Sequence, residues 1–139
     1  MKKFYPVQVI NILIIGYHNK KSFYSLNRII DITGEIMKTY HGIRINEKKI
    51  SDFCRRNGIK KLSLFGSLIG NDFGDKSDID ILVEFEKESV PGLIALNRME
   101  RELSDLFNGR RVDLRTPMDL SRYFRQDVLS RSVTIFAAS

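Results

Sequence analysis

The chain has 139 residues, of which 42% are hydrophobic and 29% charged, and a net charge of +6. This length holds one domain with a real core, or one domain and an appendage, and the balance is that of a soluble globular protein. A single cysteine, Cys54, excludes an internal disulfide framework and a cysteine-built zinc site, and suits a reducing cytoplasm.

Residues 1–42 carry most of the positive excess, with six Lys or Arg against two Asp or Glu, while residues 43–139 hold seventeen against fifteen. A nearly balanced body of this kind fits a polyanionic ligand without requiring nucleic acid, and direct nucleic-acid binding is not expected. Lys2-Lys3 precede an apolar run from Val7 to Tyr17 that Gln8 and Asn11 interrupt. The run is too short to span a membrane and lacks a small-residue cleavage site, so neither an anchor nor a secretory signal is expected. Val7–Gly16 reads equally as a strand or a buried helical turn. Ser22 is the candidate cap of a helix running to about Tyr40, with Leu26, Ile29, Ile30, Thr33, Ile36, Met37 and Tyr40 on one face. Gly34 weakens that helix and Gly42 suits its exit. Residues 1–42 read as an N-terminal extension ahead of a domain spanning 43–139, and Met37 is also a candidate natural start, in which case residues 1–36 are an upstream extension.

From Asn46 the signals sharpen. Asn46 is a good N-cap, flanked by Ile45 and Ile50 at the two staple positions. Ile50, Phe53 and Cys54 form the apolar stripe, Arg55-Arg56 fill the last turn and Gly58 supplies a left-handed exit, giving a helix over about 47–57. Cys54 on that stripe reads as a buried structural thiol. A short strand over Lys61–Phe65 leads into a tight turn with room for one or two helical turns from Gly66 to about Asp72, and a polar loop covers Asn71–Ser77. A second strand, Ile79–Phe85, puts Ile79, Ile81, Val83 and Phe85 on the core side and Asp78, Asp80, Leu82 and Glu84 on the other. Pro91 opens a helix whose period runs through Leu93, Leu96, Leu103 and Phe107 to a stop at Asn108-Gly109. Arg110–Arg115 is a third strand, with Val112 and Leu114 toward the core and Arg111, Asp113 and Arg115 away from it. A turn at Thr116-Pro117 leads into a helix over about Met118–Gln126, and the amphipathic tail Val128–Ala138 closes the core.

Asp78, Asp80 and Asp113 thus share the non-core face. If their strands are neighbours the carboxylates converge, and at about 4 Å with an effective dielectric near 20 each like-charge pair costs roughly 4 kcal/mol. Such a cluster calls for a counter-cation. Hard divalent ions such as Mg²⁺ take oxygen ligands and are shared with substrate phosphates, and a pair of them activates an attacking hydroxyl and stabilises a leaving pyrophosphate. Gly66-Ser67 fits the same chemistry, because glycine lets backbone N–H groups approach phosphate oxygens. Each piece alone has a plainer reading. A Gly-Ser after a strand is usually only a turn, Ser-Asp before a strand is often a turn device, and Asp113 can simply pair with Arg111 or Arg115. The ordered combination, with strands in the right places, is what points to a site.

Gly66-Ser67 followed ten residues on by Ser77-Asp78-Ile79-Asp80 resembles the signature of the polymerase-beta-type nucleotidyltransferases. The small size and the Arg111-Val112-Asp113-Leu114 strand resemble the minimal nucleotidyltransferases, commonly the antitoxin halves of HEPN–nucleotidyltransferase toxin–antitoxin pairs. The resemblance covers about residues 43–139. It implies an α+β fold, a small mixed sheet with helices packed on one face. It implies that Asp78 and Asp80 ligate Mg²⁺, with two ions expected, that Asp113 completes the acidic triad and helps to activate the acceptor, and that Gly66, Ser67 and Ser77 bind the nucleotide. The implied reaction moves NMP, AMP first, from an NTP such as ATP to a protein hydroxyl, with a cognate HEPN-type RNase toxin as partner and the cytoplasm as its setting. The family's Gly-Ser is typically followed by x-Ala-Arg-Gly; here Gly70 stands where the arginine is usual, with Lys76 the nearby basic residue. That difference keeps two alternatives in view, an antitoxin that neutralises by binding alone and a nucleotidyltransferase acting on a small hydroxylated compound. His18 and His41 are too isolated in sequence to read as metal ligands. Arg110, Arg111, Arg122, Arg125 and Arg131 read as a solvated basic face or as steering charge, and Tyr40 and Tyr123 are candidate self-modification targets.

Overall fold

The computed structural model describes residues 28–30 and 33–139. A three-stranded antiparallel sheet, β1 (Arg28–Ile30), β2 (Ile36–Tyr40) and β3 (Ile43–Asn46), comes first. Helix α1 (Glu47–Arg56), strands β4 (Ile59–Phe65) and β5 (Ile79–Phe85), helix α2 (Leu93–Leu106), strand β6 (Val112–Arg115), helix α3 (Arg125–Arg131) and strand β7 (Val133–Ala137) follow. The second sheet has the order β6-β5-β4-β7; only β5 and β6 run parallel. Short one-turn 3₁₀ segments at Gly66–Ile69 and Pro117–Asp119 complete the chain. Among the described residues no helix is long and apolar enough to cross a membrane.

Register explains the core. Leu62 lies opposite Val83 and Leu64 opposite Ile81, and Ile79 and Ile81 lie beside Val112 and Leu114. These side chains join Ile50, Phe53 and Cys54 of α1 and Met99 and Leu103 of α2, with Phe107, in one buried cluster. Both helices therefore cover the same face of a small mixed sheet, the expected α+β arrangement. Val133, Ile135 and Phe136 pack against its margin, so the tail does close the core, as an edge strand. At the other edge Glu100 of α2 accepts the Leu114 N–H at 3.0 Å. Cys54 is fully buried and burial pushes its thiol up to about 12, as expected of a structural cysteine.

Helix α1 starts where its cap dictates. The Asn46 side chain accepts the Lys49 N–H at 2.9 Å, Ile45 and Ile50 are buried on either side, and the φ of 60° at Gly58 lets the chain turn into β4. The Asn46 amide also donates to Glu35, tying the helix start to the segment before β2.

Two expectations are corrected. The helix to Tyr40 is not formed in its described part, where Arg28–Ile30 and Ile36–Tyr40 are strands. Gly34 has a φ of 80°, which interrupts a helix, and the two-residue turn at His41-Gly42, with φ of 44° and 81°, closes a hairpin instead. The start of that helix at Ser22, the Leu26 position and the Val7–Gly16 reading lie outside the described residues. The helix over Met118–Gln126 is also replaced. Thr116 and Asp119 form a reciprocal capping box around a single 3₁₀ turn, Leu120 is extended, and the true helix begins at Arg125 and ends before β7. Position 42 lies in the β2–β3 turn, and Met37 is the second residue of β2.

Asn46 is buried and holds both the α1 cap and the Glu35 contact. Asn46→Ala is expected to lower stability by about 1–2 kcal/mol, read as a lower urea midpoint at unchanged slope.

Candidate active site

Strand β4 ends by placing Phe65 opposite Asp80. The chain then turns at Gly66, whose φ is 70°. A Cβ on Gly66 would lie 2.2 Å from Asp80 Oδ2 and 3.0 Å from its Cγ. Glycine is thus required here by the backbone angle and again by the carboxylate packed against it. Leu68 and Ile69 are buried and anchor the turn from below, leaving Ser67 half-buried, and the Gly70 N–H donates to the Ser67 carbonyl at 3.0 Å.

Asp80 and Asp113 are register partners on the parallel strands β5 and β6. Alternation puts both on the side away from the helices, because Ile79, Ile81, Val112 and Leu114 take the core side. Burial pushes the Asp80 carboxyl above its ordinary range, with the negative charges of Asp113 and Asp78 adding to the rise and Arg115 opposing it. Asp113 is gripped by Arg115, whose Nε and guanidinium NH₂ donate to one carboxylate oxygen at 2.9 and 2.7 Å. Of the two partners open to Asp113 in the sequence, Arg115 is the one chosen. Arg111 instead approaches Asp78, at 3.8 Å. Among the described residues, no three His, Cys, Asp or Glu side chains are already drawn into a set that could hold a metal ion. The strands bring the three acids to one sheet edge, where Asp113 is held by a guanidinium.

Ser77 sits at the end of the loop before β5. Its hydroxyl accepts the Gly74 N–H at 3.0 Å, so it closes the loop. Arg110 donates to the carbonyls of Gly74 and Ser77, at 2.6 Å each, and lies 4.8 Å over the Phe73 ring. Lys76, considered as a stand-in for the arginine absent at Gly70, is exposed in this loop. Arg110 is more than the solvated cation that the sequence suggested, whereas Arg115 makes one of the two Asp113 pairings that the sequence offered. The Arg115 contact is readable as an i, i+2 pair on a strand. The Arg110 contacts, 33 and 36 residues away, leave no local signal.

Two carboxylates in register on neighbouring strands, a third just before one of them, and a glycine turn pressed on the middle acid together offer the oxygen donors and the close backbone approach that a cation-bridged phosphate chain would need. Comparison with known proteins identifies the family. The family model for the nucleotidyltransferase domain matches residues 47–135. A Methanocaldococcus jannaschii protein, named as a candidate protein adenylyltransferase, is 34% identical over 95 residues, covering 67% of this chain and 99% of the relative. The protein adenylyltransferase MntA of Thermococcus cleftensis is 34% identical over 80 residues, 58% of this chain and 78% of that one. A solved toxin–antitoxin structure with AMP-PNP superposes with a TM-score of 0.55 at 26% identity, over 68% of this chain and 76% of that chain. The chain belongs to the nucleotidyltransferase domain family and is an enzyme of that class.

Proposed function

We propose that residues 43–139 form a minimal nucleotidyltransferase domain. It moves AMP from ATP to a hydroxyl of a partner protein in a Mg²⁺-dependent reaction, and acts in the cytoplasm as antitoxin to a cognate HEPN-type RNase toxin. The observation that carries the site is the register of Asp80 with Asp113, with the Gly66 backbone pressed on Asp80. The protein-directed reaction is supported by the relatives named protein adenylyltransferase, and the toxin partner by the toxin–antitoxin structure with AMP-PNP.

The residues present fit a hard divalent cation. Asp78, Asp80 and Asp113 offer only oxygen donors, and the Asp80 carboxyl, raised first by burial and further by the charges of Asp113 and Asp78, stands where a cation would offset like charges. These three would hold the metal, two ions in all, which supplies charge neutralisation at the phosphates and at the leaving pyrophosphate. The chain's own residues do the rest. Backbone N–H groups of the Gly66-Ser67 turn hold phosphate oxygens, and Ser77 fixes the loop that leads to Asp78. Asp113, released from Arg115, accepts the proton of the acceptor hydroxyl. The hydroxyl oxygen forms its bond to the α-phosphorus, the bond from that phosphorus to the bridging oxygen breaks, and pyrophosphate leaves with the electron pair.

A second reading is favoured by Gly70 and by the Asp113–Arg115 pair: an antitoxin that neutralises by docking, with a slow or silent site. Asp78→Asn/Asp80→Asn separates the two. Under the enzymatic reading, transfer of label from α-labelled ATP to the neighbouring gene's product, with Mg²⁺, falls at least about a hundredfold in the double variant. Protection of cells from the toxin is lost with it although the complex still forms. Full protection by the variant would leave docking as the function.

Gly66→Ala is expected to lower kcat/KM about tenfold or more, because the added methyl meets the Asp80 carboxylate and the φ disfavours it.

Asp80 also predicts a pH dependence. Its folded pKa is raised, so the folded chain keeps a proton that the unfolded chain has released. Stability therefore falls as pH rises from the ordinary 3.8 through the folded value. Asp80→Asn is expected to be more stable than wild type at neutral pH and to lose that advantage below 3.8. Mg²⁺ is expected to raise the wild-type melting temperature at neutral pH and to leave the double variant unchanged, as thermal melts will show.

A further inference from the structure

The β2–β3 hairpin precedes residues 47–135, the stretch that the family model covers. Its turn nevertheless reaches the loop between the Gly66 turn and Asp78. His41 Nε2 lies 2.7 Å from the Gly70 carbonyl, and since a carbonyl only accepts, this ring nitrogen carries the proton. The His41 ring is also 5.7 Å from that of Phe73, the ring over which Arg110 lies.

Three features give this contact meaning. First, both central residues of the hairpin turn have positive φ, where Asn-Gly is the cheapest pair. Histidine at the first of them adds nothing to the turn that asparagine would not, and what it adds is reach. Second, the loop is held from outside itself at both ends: at Gly70 by His41, and at Gly74 and Ser77 by Arg110, with both side chains meeting Phe73. Third, the Gly70 N–H closes the turn that begins at Gly66-Ser67, so the peptides on either side of Gly70 are tied to the Ser67 carbonyl and to the hairpin. Gly70 has no side chain with which to anchor itself.

We propose that His41 is a positioning residue for the nucleotidyl-transfer site. The hairpin pins the exit of the Gly66-Ser67 turn and so fixes the separation between the phosphate-holding backbone and the carboxylates that begin β5. This inference rests on the role proposed above for that turn. His41 itself touches no substrate in this scheme. The contact is exposed, so it sets the position of the loop and adds little to global stability.

The test uses the full chain with His41→Asn, His41→Gln and wild type. Asparagine keeps the favoured turn chemistry but is too short to reach Gly70, whereas glutamine keeps a long N–H donor. Three measurements are made: amide hydrogen exchange over residues 70–77, affinity for AMP-PNP with Mg²⁺, and KM and kcat for ATP with the partner protein. His41→Asn is expected to speed exchange in 70–77 and to weaken AMP-PNP and raise the KM for ATP about five- to tenfold, with kcat changed less and the melting temperature nearly unchanged. His41→Gln is expected to recover much of the loss. Unchanged exchange in 70–77, or faster exchange with wild-type AMP-PNP affinity and KM, overturns the proposal. A uniform loss of stability across the whole chain overturns it too, since that marks a merely structural residue. Exchange and AMP-PNP affinity need no acceptor, so a wild type that transfers nothing counts against the proposed reaction alone.

Discussion

The register of β5 with β6 sets two carboxylates side by side where the sheet would otherwise prefer uncharged neighbours. Asp80 and Asp113 are Cα partners, and the mutual repulsion that results adds to burial in lifting the Asp80 carboxyl above its usual range. Nothing local favours this. It is sustained because the opposite face of the same two strands is among the best-packed parts of the chain, with Ile79, Ile81, Val112 and Leu114 in the buried cluster. A slip of one residue would bury the acids and expose the aliphatics, so the core itself enforces the position of the charges. Gly66 and Arg115 are then accommodations to that constraint. Glycine leaves room for the carboxylate, and the guanidinium offsets one of the charges.

Much of this could be read along the chain. Asn46, the Ile45/Ile50 pair and Gly58 marked α1 because caps and staples are local chemistry. The alternation from Asp78 to Phe85 marked β5 and the outward face of its acids, and Val112–Asp113–Leu114 did the same for β6. Asp78, Asp80 and Asp113 could be assigned to one face by parity alone. Their adjacency needed the sheet order, which parity does not contain.

What could not be read has physical reasons. Ile36, Met37 and Tyr40 fit a helical stripe and a strand equally, and pairing with β1 and β3 decides in favour of the strand. The turn chemistry of Thr116 and Asp119 closes one 3₁₀ turn, which the periodicity after Met118 does not reveal. His41, Phe73 and Arg110 meet through contacts 29 to 37 residues apart in sequence, and each looks unremarkable alone. Gly70 was legible as a departure from the family pattern, but the side chain that addresses it was not.

The Glu100 carboxylate on the Leu114 N–H has a consequence for how copies of this chain meet. β6 is the outer strand beside the acids, and an unpaired amide there would invite another chain to add a strand. A carboxylate from α2 occupies that donor and brings a negative charge to the same edge. Growth of the sheet by strand addition is discouraged on the side where the acids stand. The edge that carries the acids is thereby left to whatever approaches it with side chains rather than with backbone.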